Sequence, residues 1–314
     1  MSNPSRRLAF VFPGQGSQTV GMGRDWFDET DLGRTAFSRA DQALGFPLSR
    51  VCFEGPEEQL RRTDRAQPGL FVCSVIAFEF LQSSGVTPQV VAGHSLGEYS
   101  ALYAAGVFDL ETGLSLVRTR GESMSEAADA RPGAMAAILA LDAAQVQAVC
   151  RESARGGIVQ VANFNSPGQT VISGEREAVE RAAEAARAAG ARRAVMLPVH
   201  GAFHSPLMET AVARMEAALA GATLSEPAVS FLANTEGDFV RDAETVRACL
   251  ARQITHCVRW TEIMDKIAAS GVDLVIEVGP GRVLSGLWRQ SGSAIPTRAC
   301  GAVAEARALV EELA

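Results

Sequence analysis

Gly93-His94-Ser95-Leu96-Gly97 is where the sequence concentrates residues that can do chemistry. Val90, Val91 and Ala92 before it read as a buried strand and Ser100 to Ala105 after it as a helix, so the serine falls on a strand-to-helix turn. Glycines on both sides remove side chains that would collide with strand and helix at so sharp a turn. A serine held there points into a cleft, and the start of the helix aims free N–H groups at an oxyanion forming beside it. The Leu96 N–H is the natural first donor. The chemistry in prospect is nucleophilic acyl transfer, which needs a base because a serine hydroxyl is a weak nucleophile at neutral pH. Five residues alone are also compatible with a glycine-rich turn whose serine merely caps a helix.

A second loop, Gly14-Gln15-Gly16-Ser17-Gln18, closes the short apolar run Leu8 to Phe12 after Pro13. Its glycines let backbone approach a ligand closely. It is not a dinucleotide fingerprint, because Thr19 stands at the third glycine position. An acid that could orient a catalytic imidazole is open among Asp109, Asp238 and Glu277.

The elements that position these residues must come from one large domain or a large one with a smaller companion, since 314 residues can bury a sizeable core. A net charge of −7 with scattered arginines and a single lysine, Lys266, argues against a nucleic-acid binder. Cys52, Cys73, Cys150, Cys249, Cys257 and Cys300 show neither Cys-x-x-Cys nor a paired spacing with the four histidines, which argues against a metal site or a disulfide framework. Arg6-Arg7 imitates a twin-arginine leader, but the apolar run behind it is too short. No stretch reaches the ~18 apolar residues of a membrane span. The expectation is a cytoplasmic protein with reduced cysteines.

Along the chain, residues 24–84 read as helical with breaks at Gly45-Phe46-Pro47 and Gly55-Pro56, and a strongly apolar helix runs from Gly69 to Leu81 after Gln67-Pro68. Leu110 to Ala128 is a further helix. The rhythm changes at Arg131-Pro132-Gly133. Strand Ala134 to Leu141, helix to Ser153 behind the cap Asp142, strands Ile158 to Asn163 and Gln169 to Ser173, helix Glu175 to Ala189 and strand Arg193 to Val199 follow in the order β-α-β-β-α-β. That is the order of a ferredoxin-like unit. Helix Pro206 to Leu219, strand Val229 to Ala233, helices Ala243 to Arg252 and Thr261 to Ser270, strand Leu274 to Val278 and a helical tail from Ala302 complete the chain. Strands alternating with helices imply a mainly parallel sheet covered on both faces. The expected organisation is a large α/β hydrolase-like subdomain, 1–130 with 200–314, carrying an inserted ferredoxin-like subdomain over 131–199.

Five segments together carry a resemblance: Phe12-Pro13-Gly14-Gln15-Gly16-Ser17-Gln18, Gly93 to Glu98, Arg120-Gly121, Gly201-Ala202-Phe203-His204-Ser205-Pro206-Leu207-Met208 and Glu277-Val278-Gly279-Pro280-Gly281. In this order, from about residue 8 to 290, the chain resembles the malonyl-CoA:acyl carrier protein transacylases of fatty acid synthesis and the related acyltransferases of polyketide synthases. The resemblance implies ping-pong chemistry, in which serine takes malonyl from coenzyme A and passes it to the phosphopantetheine thiol of a carrier protein. It places Ser95 as nucleophile and His204 as base, with the backbone N–H groups of Gln15 and Leu96 as the oxyanion hole. It gives the histidine-orienting role to the backbone carbonyl of Gln253 rather than to an acid. Arg120 becomes the residue that binds the malonyl carboxylate, a task suited to its planar fork, whereas Arg118 on the same helix reads as a solvated face residue. Phe203 and Leu96 would crowd an α-methyl group and so disfavour methylmalonyl, by about 1–3 kcal/mol for one methyl. His94 would line the acyl pocket, and His200 has no matching role. The resemblance departs at His256-Cys257, where the family more often has a small or amide residue followed by proline.

The implied partners are malonyl-CoA as substrate and an acyl carrier protein, with no cofactor, metal, nucleic acid or membrane. A carrier protein is acidic, which makes Arg282 and Arg289 candidates for a local basic patch. Two other activities fit the same features: an acyl-carrier-protein hydrolase that clears stalled chains, and a polyketide acyltransferase acting in trans with another extender unit. Retention of Arg120 disfavours the hydrolase. A non-catalytic carrier-binding module is disfavoured by Ser95 and His204 together.

Overall fold

The computed structural model describes residues 6–314. Its ten strands are β1 (Leu8–Phe12), β2 (Val90–Gly93), β3 (Ala134–Leu139), β4 (Val159–Ser166), β5 (Gln169–Gly174), β6 (Arg193–Met196), β7 (Ser230–Ala233), β8 (Asp238–Val240), β9 (Leu274–Val278) and β10 (Thr297–Cys300). They form two sheets, one of six strands in the order β10-β9-β1-β2-β7-β8 and one of four in the order β4-β5-β3-β6.

In the larger sheet every pairing is parallel except that of β7 with β8. The alternation of β1 explains why it sits in the middle. Leu8, Phe10 and Phe12 enter the core with the helices Thr63–Ser83, Gly97–Ala104 and Leu110–Ala130, while Ala9 and Val11 enter the opposite one with Trp260, Ile263, Leu284 and Trp288. Both faces of the sheet are thereby covered, as its parallel strands require. In the smaller sheet every pairing is antiparallel. Its strand order is that of a ferredoxin-like unit, with the helices Ala143–Ala154 and Arg176–Ala188 packing Val146, Val179, Ala182 and Ala186 onto Ala136, Ile138 and Ile172.

Three elements escape the sequence reading: β8, β10 and the helix Val283–Gln290. The two strands are short edges, and the helix has no side-chain cap of its own. The helix expected from Gly69 begins at Thr63 instead and carries Pro68 within it, buried. The strand expected to reach Val199 ends at Met196, and the helix expected from Pro206 opens with a 3-10 turn before Glu209.

Candidate active site

Ser95 takes a left-handed φ of 52° at the end of β2, a conformation a serine adopts only when its surroundings impose it. The crossing here leaves no room for side chains. A Cβ on Gly93 would lie 1.9 Å from the Gly97 carbonyl group, and one on Gly97 2.0 Å from Phe12 O. Asn234, just beyond β7, pins the turn from the side. Its Oδ1 accepts from Ser95 N at 2.7 Å and its Nδ2 donates to Gly93 O at 2.6 Å.

Ser95 Oγ lies 2.8 Å from His204 Nε2. His204 also has a positive φ, 58°, and its ring is held from behind by two carbonyls, Gln253 O at 2.8 Å and His256 O at 3.1 Å from Nδ1. Two acceptors at Nδ1 place the ring proton there and leave Nε2 free to accept from the serine. Burial and the nearby Arg120 charge lower the His204 pKa to about 3, so the imidazole is neutral at physiological pH. His256, at the departure from the family pattern, is exposed and contributes only its carbonyl. Cys257 packs against the core of the small sheet.

None of the three acids left open by the sequence orients His204. Asp109 caps the helix Leu110–Ala130 through Thr112 N, and Asp238 pairs with Lys266. Glu277 is fully buried and accepts from Leu284 N at 2.9 Å and Ser285 N at 2.7 Å. It supplies the cap that the helix Val283–Gln290 lacks locally.

Arg120 is 1 % exposed, and among the described residues it has no ion-pair partner. Its fork is met by neutral oxygens: Nη1 donates to Gln67 Oε1 at 2.8 Å, and Nη2 to Gln253 Oε1 at 2.7 Å and Ser95 Oγ at 2.9 Å. The guanidinium also stands 5.7 Å from the Tyr99 ring centre. A buried cation in contact only with neutral dipoles, with its Nε left without a partner, is suited to receive an anion, because among the described residues no carboxylate touches it.

These residues open onto a cleft of about 570 Å³, lined by Gly14, Gln15, His94, Ser95, Arg120, Phe203 and His204 together with side chains of β4, β5 and the 197–200 segment. Among the described residues, neither the Gln15 N–H nor the Leu96 N–H has a hydrogen-bond acceptor. His94 Nε2 lies 2.8 Å from Asn165 Oδ1 and its ring packs edge-on against Trp260. His200 is exposed and pairs with Asp129, and Arg118 pairs with Glu122 on the surface. Arg282 and Arg289 do not line the cleft. They border a separate depression in which Arg282 is bound to Glu305. Sequence reasoning missed Gln67, Glu98, Asn234 and Gln160, the last of which donates to His204 O at 2.9 Å.

A serine at a strand-to-helix elbow paired with a neutral histidine, at the carboxyl ends of a mainly parallel sheet, defines the class of α/β serine enzymes that form an acyl intermediate. The family model of the acyl transferase domain matches residues 9–305. The malonyl CoA-acyl carrier protein transacylase of Escherichia coli (strain K12) is 44% identical over 285 residues, 90% of this chain and 92% of that protein. The polyketide biosynthesis malonyl CoA-acyl carrier protein transacylase BaeC of Bacillus velezensis is 41% identical over 284 residues, covering 89% and 95%. A solved complex of a type II PKS acyl-carrier protein with its malonyl-transacylase superposes with a TM-score of 0.94 at 41% identity over 98% of this chain and 99% of that one. The chain belongs to the acyl transferase family, among its malonyl CoA-acyl carrier protein transacylases.

Among the described residues no helix is long and apolar enough to cross a membrane, and no group of three or more His, Cys, Asp or Glu could hold a metal ion.

Proposed function

We propose that this chain moves malonyl from malonyl-CoA to the phosphopantetheine thiol of an acyl carrier protein through a malonyl ester on Ser95. The observation that carries the residue roles is the buried Arg120 fork, which among the described residues touches no protein carboxylate and lies 2.9 Å from the Ser95 hydroxyl. The malonyl carboxylate pairs with Arg120, which brings its thioester carbonyl to Ser95 Oγ. Oγ attacks the carbonyl carbon while His204 Nε2 takes the hydroxyl proton, and the N–H groups of Gln15 and Leu96 receive the oxyanion. The C–S bond breaks and the imidazolium returns its proton to the coenzyme A thiolate. In the second half the carrier thiol gives its proton to His204, its sulfur attacks the ester carbonyl, and Ser95 leaves with that proton. Pairing of substrate with Arg120 also offsets the charge that depresses His204, so the base strengthens when the correct acyl group is seated.

The remaining assignments follow the same reading. His94 and Phe203 line the acyl site, Gln253 O orients His204, and the chain divides into a catalytic subdomain, 1–130 with 200–314, and an inserted one, 131–199. No cofactor takes part in these steps. Six free thiols, five of them buried, suit a cytoplasmic protein.

The test is intact-mass spectrometry after mixing the protein with malonyl-CoA or acetyl-CoA. A malonyl adduct should form on the wild type and be absent from Ser95→Ala. Arg120→Ala should lower malonyl loading at least about 100-fold while acetyl loading changes little, the loss expected for one charged pair in a dry site. Free malonate appearing faster than malonyl-carrier product would replace transfer with hydrolysis.

A further inference from the structure

One buried carboxylate in this site has no part in the steps above. Glu98, in the first turn of the helix Gly97–Ala104, is 1 % exposed. Its Oε1 accepts from Asn234 N at 2.8 Å and its Oε2 accepts from Gln253 Nε2. Each donor leads on to the reacting residues. Asn234 holds Ser95 N and Gly93 O, while Gln253 Nε2 also donates to Ser95 O at 2.8 Å. Both protons of the Gln253 amide are therefore spent on oxygens that can only accept, which leaves Oε1 facing Arg120 Nη2. The geometry points to Glu98 as a positioning residue that, through the Gln253 amide, aims the Arg120 fork and supplies its counter-charge from one amide away.

The indirect placement has a chemical reason. A carboxylate touching Arg120 would occupy the fork and compete with the substrate's own. A bare cation with no counter-charge would be costly to bury. Relayed through a neutral amide, the negative charge of the ionised Glu98 polarises Gln253 Oε1 towards Arg120 yet leaves room for an incoming carboxylate. Burial drives the Glu98 pKa up to about 7, opposed by the two donors and by the charge of Arg120. Tyr99 on the same helix and Cys249 on the helix Ala243–Gln253 are the other titratable groups that sense Glu98.

The proposal rests on Arg120 as the seat of the malonyl carboxylate, and its test separates the two. Glu98→Gln keeps the shape but offers one oxygen to two donors, so either Asn234 N or Gln253 Nε2 meets an N–H. Gln253→Met removes the relay and leaves the acid. Both variants, with Arg120→Ala beside them, are assayed for kcat/KM with malonyl-CoA and with acetyl-CoA, and their thermal midpoints are recorded. Glu98→Gln and Gln253→Met should each lower the malonyl-to-acetyl ratio about ten-fold or more, chiefly through KM for malonyl-CoA, the loss of one hydrogen bond to a charged group. The double variant should lower it no further than either single one. If Glu98→Gln does not fold, Glu98→Asp takes its place, since it keeps the charge but withdraws the carboxylate from Gln253 Nε2. Equal losses for both donors, or an unchanged ratio, overturn the relay provided Arg120→Ala lowers the ratio. A flat ratio in Arg120→Ala overturns the reading of Arg120 and the relay with it.

Discussion

His204, the base in the proposed mechanism, shows how a single side chain would couple catalysis to stability. Its imidazole is buried against the Arg120 charge, and its pKa falls from the ordinary 6.5 to about 3. The unfolded chain therefore binds a proton here, between those values, that the folded chain does not. The stabilisation from keeping this ring neutral is fully present above pH 6.5 and is lost as pH falls towards 3. One proton of difference corresponds to a slope of about 1.4 kcal/mol per pH unit. His204→Gln cannot take that proton. Its urea midpoint should fall less between pH 6 and pH 4 than that of the wild type, with the opposing contribution of Glu98 common to both proteins. Parallel declines would show that the folded histidine titrates near its usual value. The residues with a recognisable type at a fixed local spacing, Ser95 between its glycines and His204 within Ala202 to Met208, could be read from sequence. Glu98 could not, because an acid in the first turn of a helix is ordinary. Its partners Asn234 and Gln253 lie 136 and 155 positions away and leave no local pattern.

At the scale of the element, the elbow is made by close passage of backbones. The two nearest atoms to a Cβ built on Gly97 are backbone atoms of Phe12, at 2.0 and 2.7 Å, and neither can move without shifting β1 in the middle of the sheet. Gly97→Ala should cost more than about 3 kcal/mol or prevent folding. Gly106 follows the end of the same helix at φ 73° with open space around it, so Gly106→Ala carries only the left-handed strain, roughly 1 kcal/mol. Urea melts of the two variants check the difference, and comparable losses would mean that the elbow relaxes. This contrast also marks what sequence can show of elements. Strands with both faces buried, such as β1 and β9, have boundaries visible in their apolar runs. The helix Val283–Gln290 does not, because the carboxylate that caps it is Glu277 on a neighbouring strand.

At the scale of the molecule, the small sheet is coupled to the chemistry through its strand β4. Phe164 N donates to Val258 O at 3.0 Å and Val258 N to Ala162 O at 2.8 Å, so β4 runs as a partner to the segment that follows Gln253. From the same strand Gln160 Nε2 reaches His204 O at 2.9 Å and Thr255 O at 3.3 Å. Gln160 thus ties the strained His204 backbone to the loop whose carbonyls hold its ring, and it makes no hydrogen bond to Arg120 or to the residues that hold the Arg120 fork. Its removal should loosen His204, the proposed base, without disturbing Arg120, the proposed seat of the acyl carboxylate. Gln160→Met should lower kcat with malonyl-CoA about ten-fold, since a buried carbonyl loses its donor and the histidine its angle. The malonyl-to-acetyl ratio should stay that of the wild type, the reverse of the pattern expected for Glu98→Gln. Measuring both variants with both donors tests whether base and carboxylate seat are positioned independently. A ratio that falls in Gln160→Met would mean that the small sheet also governs the position of Arg120.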